Sequence, residues 1–457
     1  MRGTNKIYYR PYCPAILSDS LNNPYIPRLE PTLDGFKFEW LDRLDSGEHT
    51  VYYGPRGGDE KMSLTFSEKD VTVTGLTPDC EYEFYVESRD GRRSNVRLLH
   101  TGAAPDGTKV INYLHPEDKQ YIFSGKFLCS PSIAKTASGR LIATMDIFGG
   151  KMAQNLILAF YSDDDGDSWH YLTDIYPFYW ASLFTIGERV YILGLSTEYG
   201  NLQISYTEDD GETWADPTTI FYGSNVLCDF GGNHRAPMQV TRHGGRIWTS
   251  CEYGCWAIGY HLPAVLSIGE DEDLMKPENW VRSDFLKFEG EWKRQSVTQG
   301  DTIEGNLVVA PDGKLYNYMR WKIGELLKLR VDTEDLDAPL IFDALEEAPV
   351  SNSMFKLFPY GDKYILITNR KTEISGRQTV KSYRNVLTVF ESYDLKEYKL
   401  LFDVINREEE DAQAIGFQYP SYALSGDRVY LVIRSAFNNA ENYHNSNYTL
   451  FYKFDLK

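Results

Sequence analysis

Cysteine is scarce. Six are scattered over 457 residues, at Cys13, Cys80, Cys129, Cys228, Cys251 and Cys255, and no CxxC pair occurs. Such usage argues against a disulfide scaffold and fits a reducing compartment or an unbridged secreted enzyme. Cys251 and Cys255 with His234 could bind zinc, but the spacing is not a standard one, and buried thiols are the plainer reading. No metal or other cofactor is expected. Long apolar runs are missing too: none approaches the ~18–20 residues of a membrane helix, so no membrane partner is expected. The opening Met1–Arg10 carries charges with no apolar stretch behind them, which reads as no signal peptide. Positive charge is in deficit, with 47 Lys and Arg against 66 Asp and Glu and a net charge of −19. A surface of that sign repels phosphate backbones and excludes nucleic acid as the main partner. A pocket can still gather local positive charge for an acidic ligand. Helical periodicity over any long stretch is also absent.

Aromatic residues, by contrast, reach 14% of the chain, with 33 Tyr and 9 Trp. They suit strands and sugar-facing clefts. Short strand patterns alternate with Asp-Gly, Gly-Gly and Gly-Asp turns throughout. The fold class is therefore all-β. At this length one ordinary core does not suffice, so two domains or one large closed architecture are expected.

Residues 1–23 read as an irregular N-terminal segment and 24–103 as a small β-sandwich. In the sandwich, Phe36, Phe38 and Trp40 alternate with Lys37 and Glu39, as on a strand with one buried face. Val71 and Val73 alternate likewise, and Leu76-Thr77-Pro78 leads to Tyr82, whose ring can fold inward and hydrogen-bond back to the chain. Through Trp40, Leu76, Tyr82 and Ser94 this stretch resembles a fibronectin type III domain, which implies a spacer, docking or glycan-binding module. Residues 104–118 read as a linker and 119–457 as a repeat array.

The repeat is a strand, a Gly turn, a second strand ending in a polar residue, then two outer strands. Its first strands begin near Pro131, Ala181, Ala236, Glu304, Met354 and Tyr419, which are 50, 55, 68, 50 and 65 residues apart. A period in this range with about four strands per unit predicts a six-bladed β-propeller. Two units end in "SDDDGDSW" (Ser162 to Trp169) and "TEDDGETW" (Thr207 to Trp214), with looser relatives ending at Trp280 and Tyr398. These match the Asp-box pattern, a structural hairpin in which the Asp ties down the turn and the Trp packs between strands. On these motifs the region resembles the sialidase-like propeller superfamily.

In a propeller the starts of first strands and the ends of second strands ring one pocket. That ring reads Cys129, Ser130, Asp146, Tyr179, Trp180, Glu198, His234, Arg235, Glu252, Glu304, Arg320, Asn369, Arg370, Gln418, Tyr419 and Arg434. Arginines make a fork-like receptor for a carboxylate. A Tyr beside a Glu can act as nucleophile, and sialidases are the Tyr-nucleophile exception among glycosidases. The resemblance implies Tyr419 as nucleophile, Glu304 as its base, Arg320 and Arg370 as carboxylate-binding arginines, and Asp146 as acid/base. Arg434, Arg235, Trp180 and His444 are expected to bind substrate. In one departure, the first blade opens Cys129-Ser130-Pro131 where sialidases have Arg-Ile-Pro. In another, His234 in "GGNHRAP", with His444 and Asn447 near the end, is similar to propeller lyases and rhamnosyl-glucuronide hydrolases directed at uronic acids.

The expected function is cleavage of a glycosidic bond at or next to an acidic sugar, in an acidic oligosaccharide or polysaccharide, with Asp146 or His234 protonating the leaving oxygen. The alternatives are β-elimination by a uronate-directed lyase, with His234 or Tyr419 abstracting the proton, and a non-catalytic glycan-binding propeller. In so Tyr-rich a chain Tyr419 could be packing, and Glu304 with Arg320 a structural ion pair. The expected location is the bacterial cytoplasm, or outside the cell if a leader has been trimmed. Oligomeric state is not legible.

Overall fold

The computed structural model describes residues 2–3, 22–44, 47–149, 152–224, 231–256, 260–286 and 302–456. Cys13 and Cys228 lie outside these residues, as does most of the segment 1–23. Of that segment, Arg2–Gly3 form a short strand paired with Trp214–Ala215 rather than irregular chain. No helix among the described residues is long and apolar enough to cross a membrane.

Two sheets face each other near the N-terminus. One orders Tyr25–Thr32, Gly35–Leu41 and Asp70–Thr74; the other orders Met62–Phe66, His49–Pro55, Glu81–Ser88 and Arg97–His100. Strict alternation builds the core between them: Phe36, Phe38 and Trp40 are buried while Lys37 is exposed. Phe84 from the opposite sheet meets Phe36 and Phe38 at ring-centroid distances of 4.6 and 5.1 Å. Tyr82 folds inward, and its hydroxyl accepts a hydrogen bond from the Thr77 amide at 3.0 Å. The sandwich docks on the larger domain through buried polar contacts. Arg97 pairs with Asp118 at 2.6 Å, with both side chains fully buried, and the Leu29 amide donates to Asn112 Oδ1 at 3.0 Å.

Six antiparallel sheets follow, each built outward from an inner strand. The inner strands are Phe127–Lys135, Tyr179–Ile186, the interrupted pair Gly232–His234 and Thr241–His243, Ile303–Val309, Lys356–Tyr360 and Gly416–Ser425. All six expected repeats are present as blades, and the protein is a six-bladed β-propeller. The stretch 104–118 differs from its reading as a linker. Lys109–Tyr113 is the outermost strand of the sixth blade, pairing with Tyr448–Asp455. The first strand of the propeller therefore completes its last sheet and closes the ring.

The two best-matched turns are superimposable in their bonding. Asp164 accepts from the Ser168 amide at 2.9 Å and its hydroxyl at 2.6 Å; Asp209 does the same to Thr213 at 2.9 and 2.6 Å. Gly166 and Gly211 sit at φ 88° and 87°, a conformation that costs glycine little. Trp169 and Trp214 are buried. Trp169 packs on Phe451, 5.2 Å between rings, and so ties the first blade to the sixth.

Bulges at the head of the inner strands decide where the side chains go. In blades one, two, four and six the pairing register slips at the same point, between Cys129 and Ser132, Tyr179 and Ser182, Ile303 and Asn306, and Gln418 and Ser421. Each slip holds one non-glycine residue in the left-handed region: Ser130 at φ 35°, Trp180 at 46°, Glu304 at 63° and Tyr419 at 52°. Such residues each cost about 1–3 kcal/mol and persist only where the surroundings fix them, commonly at functional sites. Here carboxyl groups of the preceding blade fix two of them. Asp146 accepts from the Trp180 amide at 2.8 Å, and Glu252 from the Glu304 amide at 3.1 Å.

Below these bulges, Ala236, Met238, Met354 and Tyr419 form a small apolar cluster. It separates a cavity of about 170 Å³ on one side from one of about 230 Å³ on the other. Lys356 lines the second cavity, buried, with its ammonium donating to the Pro237 carbonyl. Burial pulls its pKa down to about 7. An unfolded chain keeps that proton up to ~10.4, so the unfolded state binds more protons in this window and stability rises with pH across it. Lys356→Met is expected to stabilise the protein by about 2 kcal/mol at neutral pH and to flatten that rise. Urea titrations at neutral and alkaline pH check both effects.

Candidate active site

The first cavity gathers Tyr419, Glu304, His234, Trp180, Arg434 and His444, contributed by blades two, three, four and six. Tyr419 and Glu304 come from neighbouring bulges on opposite sides of the fifth blade. The Tyr419 hydroxyl donates a short hydrogen bond to Glu304 Oε1. Arg320 Nη1 donates to Glu304 Oε2 at 2.8 Å and to the Tyr419 hydroxyl at 3.3 Å. Its Nε is fixed on Asn352 Oδ1 at 2.6 Å. Phenol, carboxylate and guanidinium thus form one closed triangle.

Electrostatics divides the roles. Burial raises the Glu304 carboxyl, but Arg320 and the Tyr419 hydrogen bond outweigh it and hold the group below its ordinary value. Glu304 is therefore ionised and free to receive a proton. Burial, with the Glu304 charge, pushes Tyr419 up to about 12. The phenol is neutral at rest, with its proton directed at Glu304.

Two further guanidinium groups flank the phenol. Arg434 lies 5.0 Å from the Tyr419 ring centroid and Arg384 5.8 Å. Arg434 is held by Ser446 Oγ at 2.9 Å, Cys129 Sγ at 3.0 Å and the His444 carbonyl. Arg384 is held by Ser382 Oγ at 2.9 Å, the Asn352 carbonyl at 3.0 Å and Gln418 Oε1. All of these partners are neutral. Of five N–H donors per guanidinium, at least one is not engaged in these bonds, and neither group has an ion-pair partner among the described residues; Arg434 lines the cavity and Arg384 does not. Burial pulls Arg384 down to about 10, which still leaves it charged at neutral pH.

Arg370 does not belong to this group. Its Nε and Nη2 pair with Asp403 at 3.0 and 2.7 Å on the outermost strand of the fifth blade. The slot that pairs with an inner-strand head is occupied by Asp146, Glu252, Arg320 and Arg434 in blades one, three, four and six. In blade five Asn369 takes the inward direction and clamps the Phe417 carbonyl at 2.6 Å. Arg370 is one residue further on, and a one-residue step on a strand reverses the side chain. Arg384 supplies the charge instead. It precedes the third strand, Val386–Ser392, and so falls outside a search confined to first and second strands.

Asp146 is also turned away from the expected role. It is buried, does not line the cavity, and spends one oxygen on the Trp180 amide. Burial raises it well above the ordinary carboxyl range. Trp180 does line the cavity, 4.5 Å from the His234 ring. His234 Nδ1 sits 2.9 Å from Glu252 Oε2. Burial pushes His234 down to about 3 and Glu252 well up, so the pair is neutral and shares one proton. His444 lines the cavity, kept neutral by burial at a pKa of about 2. Arg235 also lines the cavity; it donates to Ser182 Oγ at 2.6 Å and the Ala236 carbonyl at 3.3 Å, while its Nη1 is buried without a hydrogen-bond partner among the described residues. The zinc alternative does not assemble: Cys251 and Cys255 stand four positions apart on one strand, roughly 13 Å at 3.3 Å per residue. Two aromatic groups escaped the sequence reading. Trp256 is half-exposed at the cavity rim, and His261 packs 4.4 Å from His234. Both flank a hairpin of the third blade that carries no motif.

No family model matches the sequence, and no curated protein does. Solved structures do. An α-L-arabinanase from Penicillium chrysogenum, complexed with arabinobiose, aligns over 77% of this chain and 98% of its own, with a TM-score of 0.50 and 13% identity. The Hadza microbial sialidase Hz136 aligns over 98% of this chain and 99% of its own, at TM-score 0.49 and 13% identity. The NanB sialidase from Streptococcus pneumoniae aligns over 95% and 93%, at 0.48 and 11%. The neighbours are thus sialidase and arabinanase propellers, and at such identities the likeness is one of architecture.

Proposed function

We propose that the protein is a glycoside hydrolase that cleaves the bond at or next to an acidic sugar, sialic or uronic. The observation that carries this reading is the Tyr419–Glu304–Arg320 triangle, flanked by Arg384 and Arg434. Three guanidinium groups around one phenol suit a ligand bearing a carboxylate. A phenol starts neutral and is not repelled by an anionic sugar, whereas a carboxylate nucleophile would be. Arg320, Arg384 and Arg434 hold the carboxylate. Tyr419 attacks the anomeric carbon as Glu304 takes its proton. Trp180 and Trp256 offer faces on which sugar rings stack. That the fold is shared with an α-L-arabinanase agrees with a carbohydrate substrate.

Incubation with a panel of acidic oligosaccharides, including sialyllactose and uronic acid-containing fragments, tests this. Products are expected to gain one water in mass. An unsaturated product without added water would establish the lyase alternative, and binding without turnover the non-catalytic one.

A further inference from the structure

Retaining hydrolysis needs a second group, one that gives a proton to the departing oxygen, and Asp146 does not open on the cavity. We propose that Glu198 is that group, the general acid–base of the site; this rests on the hydrolase reading above. Of the described residues lining the cavity, Glu198 and Glu304 are the two that carry carboxyl groups. Their surroundings are opposite. Glu304 has a guanidinium at 2.8 Å, whereas Glu198 has no cation within ion-pair distance among the described residues and is hydrogen-bonded by an amide. Burial raises Glu198 above its ordinary value, more than the bonds from Gln154 and Trp256 lower it. Two carboxyl groups whose environments pull their pKa values apart divide into base and acid.

The carboxyl group has a defined setting. Gln154 Oε1 accepts from the Tyr179 hydroxyl at 2.9 Å and from the Gly149 amide at 3.2 Å, which fixes the amide and turns Nε2 outward as a donor. Nε2 donates to Glu198 Oε2 at 2.5 Å. Oε2 is therefore an acceptor, and the Trp256 side chain also bonds the carboxyl group. Glu198 itself follows the second strand of blade two, Arg189–Leu195, and precedes Tyr199, which is held in the left-handed region at φ 62°. The other titratable groups around it do not compete for this proton. His234 and His444 are neutral, Tyr179 and Tyr419 hold theirs, Glu304 is ionised, and Arg434 is a cation.

The steps balance. Tyr419 Oη forms a bond to the anomeric carbon while its proton passes to Glu304. The glycosidic C–O bond breaks, and its electron pair takes the proton from the Glu198 carboxyl group. Glu198, now a carboxylate, then removes a proton from water as that water attacks the anomeric carbon. The Tyr–carbon bond breaks, and Glu304 returns its proton to the phenol. Activity therefore requires ionised Glu304 and protonated Glu198. It falls at low pH through the depressed Glu304 and at high pH through the elevated Glu198.

Glu198→Gln separates this role from a structural one. The probes are the 4-nitrophenyl and methyl glycosides of N-acetylneuraminic acid and of glucuronic acid. A nitrophenolate leaves without protonation, so the first step on the nitrophenyl glycoside is expected to fall less than about tenfold, read as the burst of nitrophenol. On the methyl glycoside the loss is expected to be about 10³-fold, and the alkaline limb of the pH profile disappears. Azide, which needs no general base, restores turnover of the nitrophenyl glycoside. Independently of turnover, the infrared difference between wild type and Glu198→Gln at neutral pH is expected to show the carbonyl stretch of one protonated carboxyl group in wild type. Equal loss on both leaving groups, or no such band, overturns the assignment of Glu198 while the hydrolase reading stands. Wild-type protein inert toward all four glycosides overturns both.

Discussion

Tyr419→Phe is expected to lower kcat/KM by about 10³-fold or more while leaving the affinity for an acidic sugar within a few-fold of wild type. The substitution removes one hydroxyl. The ring stays among Ala236, Met238 and Met354, and between the guanidinium groups of Arg384 and Arg434. Glu304 keeps its ion pair with Arg320, so no charge is left buried without a partner. What disappears is the atom that would form the covalent bond and the proton that Glu304 would accept. Calorimetric titration with the acidic sugar, alongside steady-state kinetics, separates the two effects. Turnover within tenfold of wild type would mean that water attacks directly, and the phenol would revert to a packing group.

Arg384→Ala is expected to weaken binding of the acidic sugar by about 10²-fold or more, in the range found when one partner of a buried charge pair is truncated. Arg370→Ala is expected to leave both binding and kcat within about twofold. The two residues stand fourteen positions apart in one blade, and their surroundings differ in kind. The charge of Arg370 is neutralised by the bidentate contact with Asp403, which Thr388 also bonds. Arg384 is held by a hydroxyl, a carbonyl and an amide, and keeps its charge for the ligand. Arg384→Lys is expected to fall between, because it keeps the charge and loses the planar fork. Inhibition by the free acid, compared with that by its neutral methyl ester, checks the assignment: the ester should not distinguish Arg384→Ala from wild type. A large effect at Arg370 and none at Arg384 would reverse the clamp.

Much of the propeller could be read from the chain because its signals are local. A blade's inner hairpin needs two alternating strands around a Gly turn, and its outer turn needs Asp, Gly and Trp at fixed offsets; both fit inside a window of sixteen residues or fewer. The closing strand Lys109–Tyr113 is only five residues long, set between turns, and its partner lies more than 300 positions away. Nothing local marks it as a strand. The aromatic wall of the third blade was missed for a similar reason. Trp256 and His261 flank a hairpin without a motif and gain meaning only from their proximity to His234.

Alternation, turn chemistry and repeat spacing therefore determined that the chain is all-β, that it has six blades, and that Tyr419 and Glu304 stand at the heads of first strands and Arg320 at the end of a second strand. The tertiary structure alone decided which charges meet. A bulge with one left-handed residue turns Glu304 and Tyr419 into the same cavity from different blades. A single step past the strand turns Arg370 to Asp403, and a loop brings Arg384 to within 5.8 Å of the Tyr419 ring centroid. Glu198 faces the cavity without a cation within ion-pair distance among the described residues, whereas Asp146 does not line it and gives one oxygen to the Trp180 amide. Backbone periodicity fixes where a residue lies along a blade. The direction of its side chain depends on local φ and on partners hundreds of residues away, and these exist only once the ring has closed.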